Sequence, residues 1–264
     1  MTTEAPLRSP RELFDLDGRR AVVTGASSGI GERLALVLAR AGARVVMVAR
    51  RAERLQEIRD RHPELAPRLL AEVADLAEPA APAAVARRAV ECLGGCDVLV
   101  GAAGMPGRGG VRQFDPPLFE RVLHLNVSSQ ASLASALFEP LRASGVGRVI
   151  YVASIFGLAG EETGPLAPYV ASKHALVGLM RSQAGEWAPH GISVNALAPA
   201  HFPTEMTAHL LEDPVIGPKL LRRYAMGRFG RLEELDTALL FLAAPATSFV
   251  TGVVLPVDGG WTCR

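Results

Sequence analysis

Thr24-Gly25-Ala26-Ser27-Ser28-Gly29-Ile30-Gly31 follows directly on the apolar run Ala21-Val22-Val23. It reads as the end of a strand, a glycine turn and the start of a helix. Small residues let the main chain approach a large anionic group, and a helix N-terminus aims free N–H groups at it. The common phosphate-binding fingerprint of this kind is G-x-G-x-x-G. Here the glycines fall at 25, 29 and 31, giving G-x-x-x-G-x-G. Glycine turns also form where nothing binds, so the rest of the chain must decide what this one does.

Outward from that stretch the same unit repeats. Short β-branched runs at 20–24, 44–49, 68–73, 97–101, 148–153, 193–198 and 253–257 predict strands. Helical patterns lie between them, near 30–41, 51–60, 80–92, 117–143, 169–188 and 233–243. Strands alternating with helices predict an α/β fold: a Rossmann-type doubly wound, seven-stranded parallel sheet with helices on both faces. No repeat, low-complexity tract or linker-like shift divides the chain. Residues 1–13 read as a flexible, Pro-containing lead and 14–264 as a single domain.

Composition narrows the function class. The 264 residues are 49% hydrophobic and 21% charged with a formal net charge of +1, which favours neither nucleic acid nor an anionic membrane as partner. No apolar run reaches membrane-spanning length, and residues 1–10 lack the apolar core of a signal peptide. Cys92, Cys96 and Cys263 form an odd, sparse set without zinc-ligand spacing. They read as reduced thiols in a cytoplasmic protein, with no metal.

In open α/β sheets ligands bind beyond the carboxyl ends of the strands. Residues placed there are the 24–31 loop, Arg50, Asp75, Gly101-Ala102-Ala103-Gly104, Ser154 and the segment 199–204. On the helix that follows Ser154, Tyr169 and Lys173 stand at i and i+4, on one face. A phenol near pKa 10 is a poor acid–base group at pH 7, and a neighbouring ammonium favours its ionised form. Tyr and Lys also neighbour each other on ordinary surface helices. Ser154, whose hydroxyl could hold the oxygen that the phenol protonates, makes the functional reading the stronger one.

Taken together, the glycine loop, Ser154, Tyr169-Val170-Ala171-Ser172-Lys173 and Asn195-Ala196-Leu197-Ala198-Pro199 resemble the short-chain dehydrogenase/reductase family. The resemblance runs from about Phe14 to Trp261. It implies a catalytic quartet of Asn126, Ser154, Tyr169 and Lys173, in which Asn126 helps hold a water linking the lysine to solvent. It implies a nicotinamide cofactor held by Gly25, Ser27, Ser28, Gly29, Ile30, Gly31, Arg50, Asp75, Leu76, Ala103, Gly104, Tyr169, Lys173, Pro199 and Thr204. Asp75 would lie beside the adenine, although an N-cap is its simpler reading. Thr204 would contact the nicotinamide carboxamide. A small carbonyl or alcohol substrate follows, as does association into a homodimer or homotetramer through the helices at 117–143 and 169–188.

The choice of cofactor rests on Val48-Ala49-Arg50-Arg51, where no acid is present to accept a ribose 2′-OH. A guanidinium at Arg50 suits a 2′-phosphate, favouring NADP(H) with NAD(H) possible. Ser27-Ser28 argues the other way, because many NADP-type relatives carry a basic residue in that loop. Two departures stand out. The family's Asn-Asn-Ala-Gly is Gly101-Ala102-Ala103-Gly104, which removes the Asn that braces the sheet centre. Pro-Gly after strand six is Pro199-Ala200. Within the family, Phe14-Asp15-Leu16-Asp17-Gly18 and Leu255-Pro256-Val257-Asp258-Gly259-Gly260-Trp261 resemble gluconate-type dehydrogenases and 3-oxoacyl-thioester reductases. The alternative is a weak or inactive cofactor-binding scaffold. Residues 201–230 occupy the substrate-lid position, where His201 and His209 could touch substrate, a place at the surface being the commoner reading for a histidine.

Overall fold

The computed structural model describes residues 7–160 and 164–263. Seven strands, β1 (Arg20–Thr24), β2 (Arg44–Ala49), β3 (Leu69–Val73), β4 (Val98–Gly101), β5 (Arg148–Val152), β6 (Ser193–Pro199) and β7 (Val254–Val257), pair in the order β3-β2-β1-β4-β5-β6-β7. Every pairing is parallel. The strand order reverses between β1 and β4, so Val23 is in register with Met47 on one side and Val100 on the other. That crevice is where such sheets take their ligands.

Alternation along the strands explains why both faces are covered. Ala21, Val23, Val45 and Met47 point into one buried cluster with Leu34, Leu38, Leu239 and Leu242. Val22, Val46 and Val48 point into another with Leu133, Leu176 and Met180. A strand whose successive residues are all apolar needs helices on both sides. The first face receives α2 (Gly29–Arg40), and the second receives α4 (Ala81–Leu93), with α3 (Ala52–Arg61) carrying the chain between β2 and β3.

Two expectations change. Residues 10–13 form a short helix, α1 (Pro10–Leu13), closed by a reciprocal Ser9–Glu12 capping box, so this part of the N-terminal lead is locally ordered. Residues 1–6 lie outside the described set. The helix expected at 117–143 is three pieces: α5 (Pro116–Leu123), α6 (Ser129–Ala136) and α7 (Phe138–Ala143). A π-helical turn, His124–Ser128, joins the first two, and its centre is Asn126. Such turns insert one residue into the ladder and re-aim a side chain. After Ser154 comes the long α8 (Ala167–Trp187), then α9 (Ala208–Leu211) and α10 (Ile216–Leu221) in the lid, and α11 (Asp236–Ala243).

Candidate active site

The 24–31 loop is shaped by close approach. Gly25 and Gly29 have φ of +66° and +57°. A Cβ on Gly31 would stand 2.2 Å from the Gly25 carbonyl oxygen, so no other residue fits there. Ser28 caps α2 without a side-chain hydrogen bond to the helix, and Gly29, Ile30 and Gly31 line a cleft of about 470 Å³. The helix therefore presents uncapped N–H groups to that cleft, as an anionic group requires. The residues fit a dinucleotide: a cradle that Cβ atoms would fill, a helix N-terminus, and basic groups at one end.

All of the residues expected to hold the cofactor line this cleft, and so do Ser154, Tyr169 and Lys173. Asn126 lies behind the wall, fully buried. Its Oδ1 accepts from the Met105 N–H at 2.8 Å, and its Nδ2 donates to the Met105 carbonyl at 3.1 Å and Ser172 Oγ at 3.0 Å. It thus fixes the chain beyond Gly104 and ties it to α8.

At the inner end, Ser154 hydrogen-bonds the Tyr169 phenol. Lys173 is 5% exposed, with Nζ 5.5 Å from the Tyr169 ring centroid and donating to the Val152 carbonyl at 2.8 Å. The expected lowering of the phenol pKa by the ammonium is not found. Tyr169 is half-buried as a residue, but its phenol end is enclosed, and desolvation pushes it up to about 12 against the opposing Ser154 hydrogen bond. Burial likewise brings the Lys173 ammonium down to about 8. Both groups are driven toward their neutral forms, while the lysine stays mostly charged at neutral pH.

At the opposite end the basic residue over the loop is Arg51, not Arg50. Arg51 Nη2 donates to Ser27 Oγ at 3.1 Å and Ser28 Oγ at 2.9 Å, and Nη1 meets Glu205 at 3.1 Å. The basic group lacking within the loop is thus supplied by the N-cap of α3. Arg50 is turned toward Asp75, 3.4 Å away, with its side chain 70% exposed. Asp75 also accepts from its own chain at Ala77 N–H, 2.9 Å, so its turn-forming role is present beside its place in the cleft. Thr204 packs over Gly29, with Cγ2 3.0 Å from where a Cβ would stand.

The 201–230 segment corrects one expectation. His201 is buried, its Nδ1 2.7 Å from the Tyr224 hydroxyl, among Phe156 and Trp261. His209 is exposed and contacts Arg108. Ala200 carries no strain, since among the described residues no non-glycine has positive φ. Arg51 lines the cleft and is a site residue that the sequence reading passed over; its signal was its place beside Arg50.

The family model described as "Enoyl-(Acyl carrier protein) reductase" matches residues 25–262. The galactitol 2-dehydrogenase (L-tagatose-forming) of Cereibacter sphaeroides is 36% identical, over 96% of this chain and 98% of that one. The gluconate 5-dehydrogenase of Gluconobacter oxydans (strain 621H) is 36% identical, over 95% and 97%. A crystal structure of a gluconate 5-dehydrogenase from Burkholderia cenocepacia J2315, in complex with NADP and tartrate, superposes with a TM-score of 0.91 at 34% identity, covering 97% and 100%. The chain belongs to the short-chain dehydrogenase/reductase family. The relatives it matches are named as dehydrogenases acting on CH–OH groups, and the chain is an NAD(P)-dependent oxidoreductase of that type.

Proposed function

We propose that this chain is an NADP(H)-preferring dehydrogenase/reductase interconverting a secondary alcohol and its carbonyl. The observation that carries this is the run of Ser154, Tyr169 and Lys173 at one end of the cleft that holds Gly25–Gly31 at the other. The bound nicotinamide supplies the hydride donor or acceptor. Ser154 holds the substrate oxygen. Tyr169 gives that oxygen a proton in reduction and takes one in oxidation. Lys173 places positive charge near the phenol and stabilises the phenolate when it forms. Asn126 keeps the wall opposite in place through Met105 and Ser172. Arg51, on the loop serines, is positioned to meet a 2′-phosphate, and β2 ends without an acid to repel one.

The relatives named for galactitol and gluconate support an acyclic polyol or polyhydroxy acid as substrate, and the relatives named as 3-oxoacyl reductases a second class to be assayed beside it. We place the protein in the cytoplasm: among the described residues no helix is long and apolar enough to cross a membrane, and the cysteines are unpaired. We assign it a homodimer or homotetramer. The support for this is the family resemblance, in which the helices around 117–143 and 169–188 pair across a two-fold.

The test is a panel of polyols, aldonates and 3-oxoacyl thioesters with NADP(H) and NAD(H), run with wild type and Tyr169→Phe. Turnover with one class, lost in Tyr169→Phe, supports the proposal. Cofactor binding without turnover on any of them, unchanged by the substitution, overturns it.

A further inference from the structure

Gly101 leaves a gap at the centre of the sheet, and the gap is filled from elsewhere. A Cβ at 101 would stand 2.8 Å from Gln130 Oε1 and 2.8 Å from Tyr151 Cδ1. Gln130 comes from α6, is 1% exposed, and reaches through to the strand ends. The Thr24 hydroxyl oxygen accepts from the Ala102 and Ala103 N–H groups, both at 3.0 Å. Its own hydrogen has two acceptors, Gln130 Oε1 at 3.3 Å and the Val100 carbonyl at 3.5 Å, while Gln130 Nε2 donates to the Ala103 carbonyl at 3.1 Å. Ala103 is therefore held at both of its polar groups, by Thr24 and by Gln130.

That hold sits where tolerance is smallest. A Cβ on Gly25 would stand 2.9 Å from the Ala102 oxygen and from Ala103 Cα and N, so the glycine loop is pressed against this segment. Ala103 and Gly104 form one wall of the cleft. One turn back along the same helical run, Asn126 holds both polar groups of Met105. Two side-chain amides, four residues apart, thus hold residues 103 and 105 with Gly104 between them. Gln130 does not line the cleft; it acts through the backbone it holds. A buried amide bonded through both its oxygen and its nitrogen holds the backbone it touches, and its loss takes a donor from the Ala103 carbonyl.

We infer that Gln130 is a positioning residue for the cofactor wall, and that Gly101 leaves the room which the glutamine amide and the Tyr151 ring occupy. The inference rests on the reading that this cleft binds NADP(H). The experiment uses the full chain and three forms: wild type, Gln130→Leu and Gln130→Met, the last keeping the side-chain length without the amide. NADPH affinity is read by fluorescence titration, and the mobility of residues 102–105 by amide hydrogen exchange without ligand. Both variants are expected to bind NADPH about tenfold more weakly, one hydrogen bond's worth, with faster exchange at 102–105. Wild-type affinity and exchange in Gln130→Leu would overturn the inference. So would wild-type affinity and exchange in Gln130→Met, which also decides the matter if Gln130→Leu does not fold. Failure of wild type itself to bind NADPH would overturn the cofactor assignment instead, leaving the exchange comparison to decide the brace.

Discussion

Lys173 Nζ donates to the Val152 carbonyl at 2.8 Å and stands 5.5 Å from the centroid of the Tyr169 ring. The ammonium is thus anchored on β5 beside the phenol and held by the strand, not by the tyrosine. The cost is a cation taken out of water, seen in a pKa that burial brings down to about 8.

That cost predicts a gain in stability when the charge is removed. Moving the lysine from 10.5 to about 8 corresponds to about 3 kcal/mol at pH 7. Lys173→Met recovers part of it, since the Val152 carbonyl loses a donor worth about 1 kcal/mol. The melting temperature of Lys173→Met at pH 7 is expected to exceed wild type by a few degrees, with turnover abolished. The sign with pH follows from linkage. Between pH 8 and 10.5 the unfolded chain holds the proton that the folded chain has lost, so wild type gains stability as pH rises. The gap between variant and wild type therefore narrows over that window. A gap that widens there would contradict the account.

The same ammonium sets a pH limit on catalysis. The kcat/KM for NADPH reports groups of the free enzyme. In carbonyl reduction it is expected to stay level below about pH 8 and to fall above it, as Lys173 loses its proton. Tyr169, pushed up to about 12, stays protonated throughout. Lys173→Arg, which keeps its charge, shifts the fall upward. An unshifted profile in that variant would assign the fall to another group.

Arg51 and Arg50 separate the cofactor reading. Arg51→Ala is expected to weaken NADPH binding by about 30-fold, the scale of a charge-assisted pair near 2 kcal/mol, with NADH little changed. Arg50→Ala, whose side chain faces Asp75 and solvent, is expected to change the ratio less than threefold or so. Isothermal titration with both nucleotides checks this. The reverse ranking would return the 2′-phosphate to Arg50.

Gly31→Ala tests the cradle. The added methyl would lie 2.2 Å from the Gly25 oxygen, so the loop must shift. NADPH affinity is expected to drop by about 100-fold or more, beyond the loss of a single hydrogen bond, with the far-ultraviolet circular dichroism retained. Unaltered binding would show that the loop does not form the phosphate site.

Much of this was legible from residue order, and the remainder was not for definite reasons. Strand ends sort residues onto one rim, so the glycine loop, Ser154 and Tyr169 could be placed together before any coordinates. Apolar runs bounded by turns located β1 and β2 to the residue. Arg50 and Arg51 are adjacent at a strand–helix junction, where spacing does not say which side chain turns inward. His201 looked like a surface residue because its aromatic neighbours, Phe156, Tyr224 and Trp261, are distant in sequence. Gln130 was hidden by the π turn, which no periodicity announces. The missing Asn at 101 was visible, but its replacement from another helix was not.

The most direct measurement follows NADPH absorbance under single-turnover conditions with the best substrate of the panel, comparing wild type with Tyr169→Phe at equal nucleotide saturation. The account predicts unchanged NADPH affinity in the variant and a hydride-transfer rate lower by about 10²–10⁴-fold, the usual weight of a general acid. Equal rates in the two proteins would contradict it.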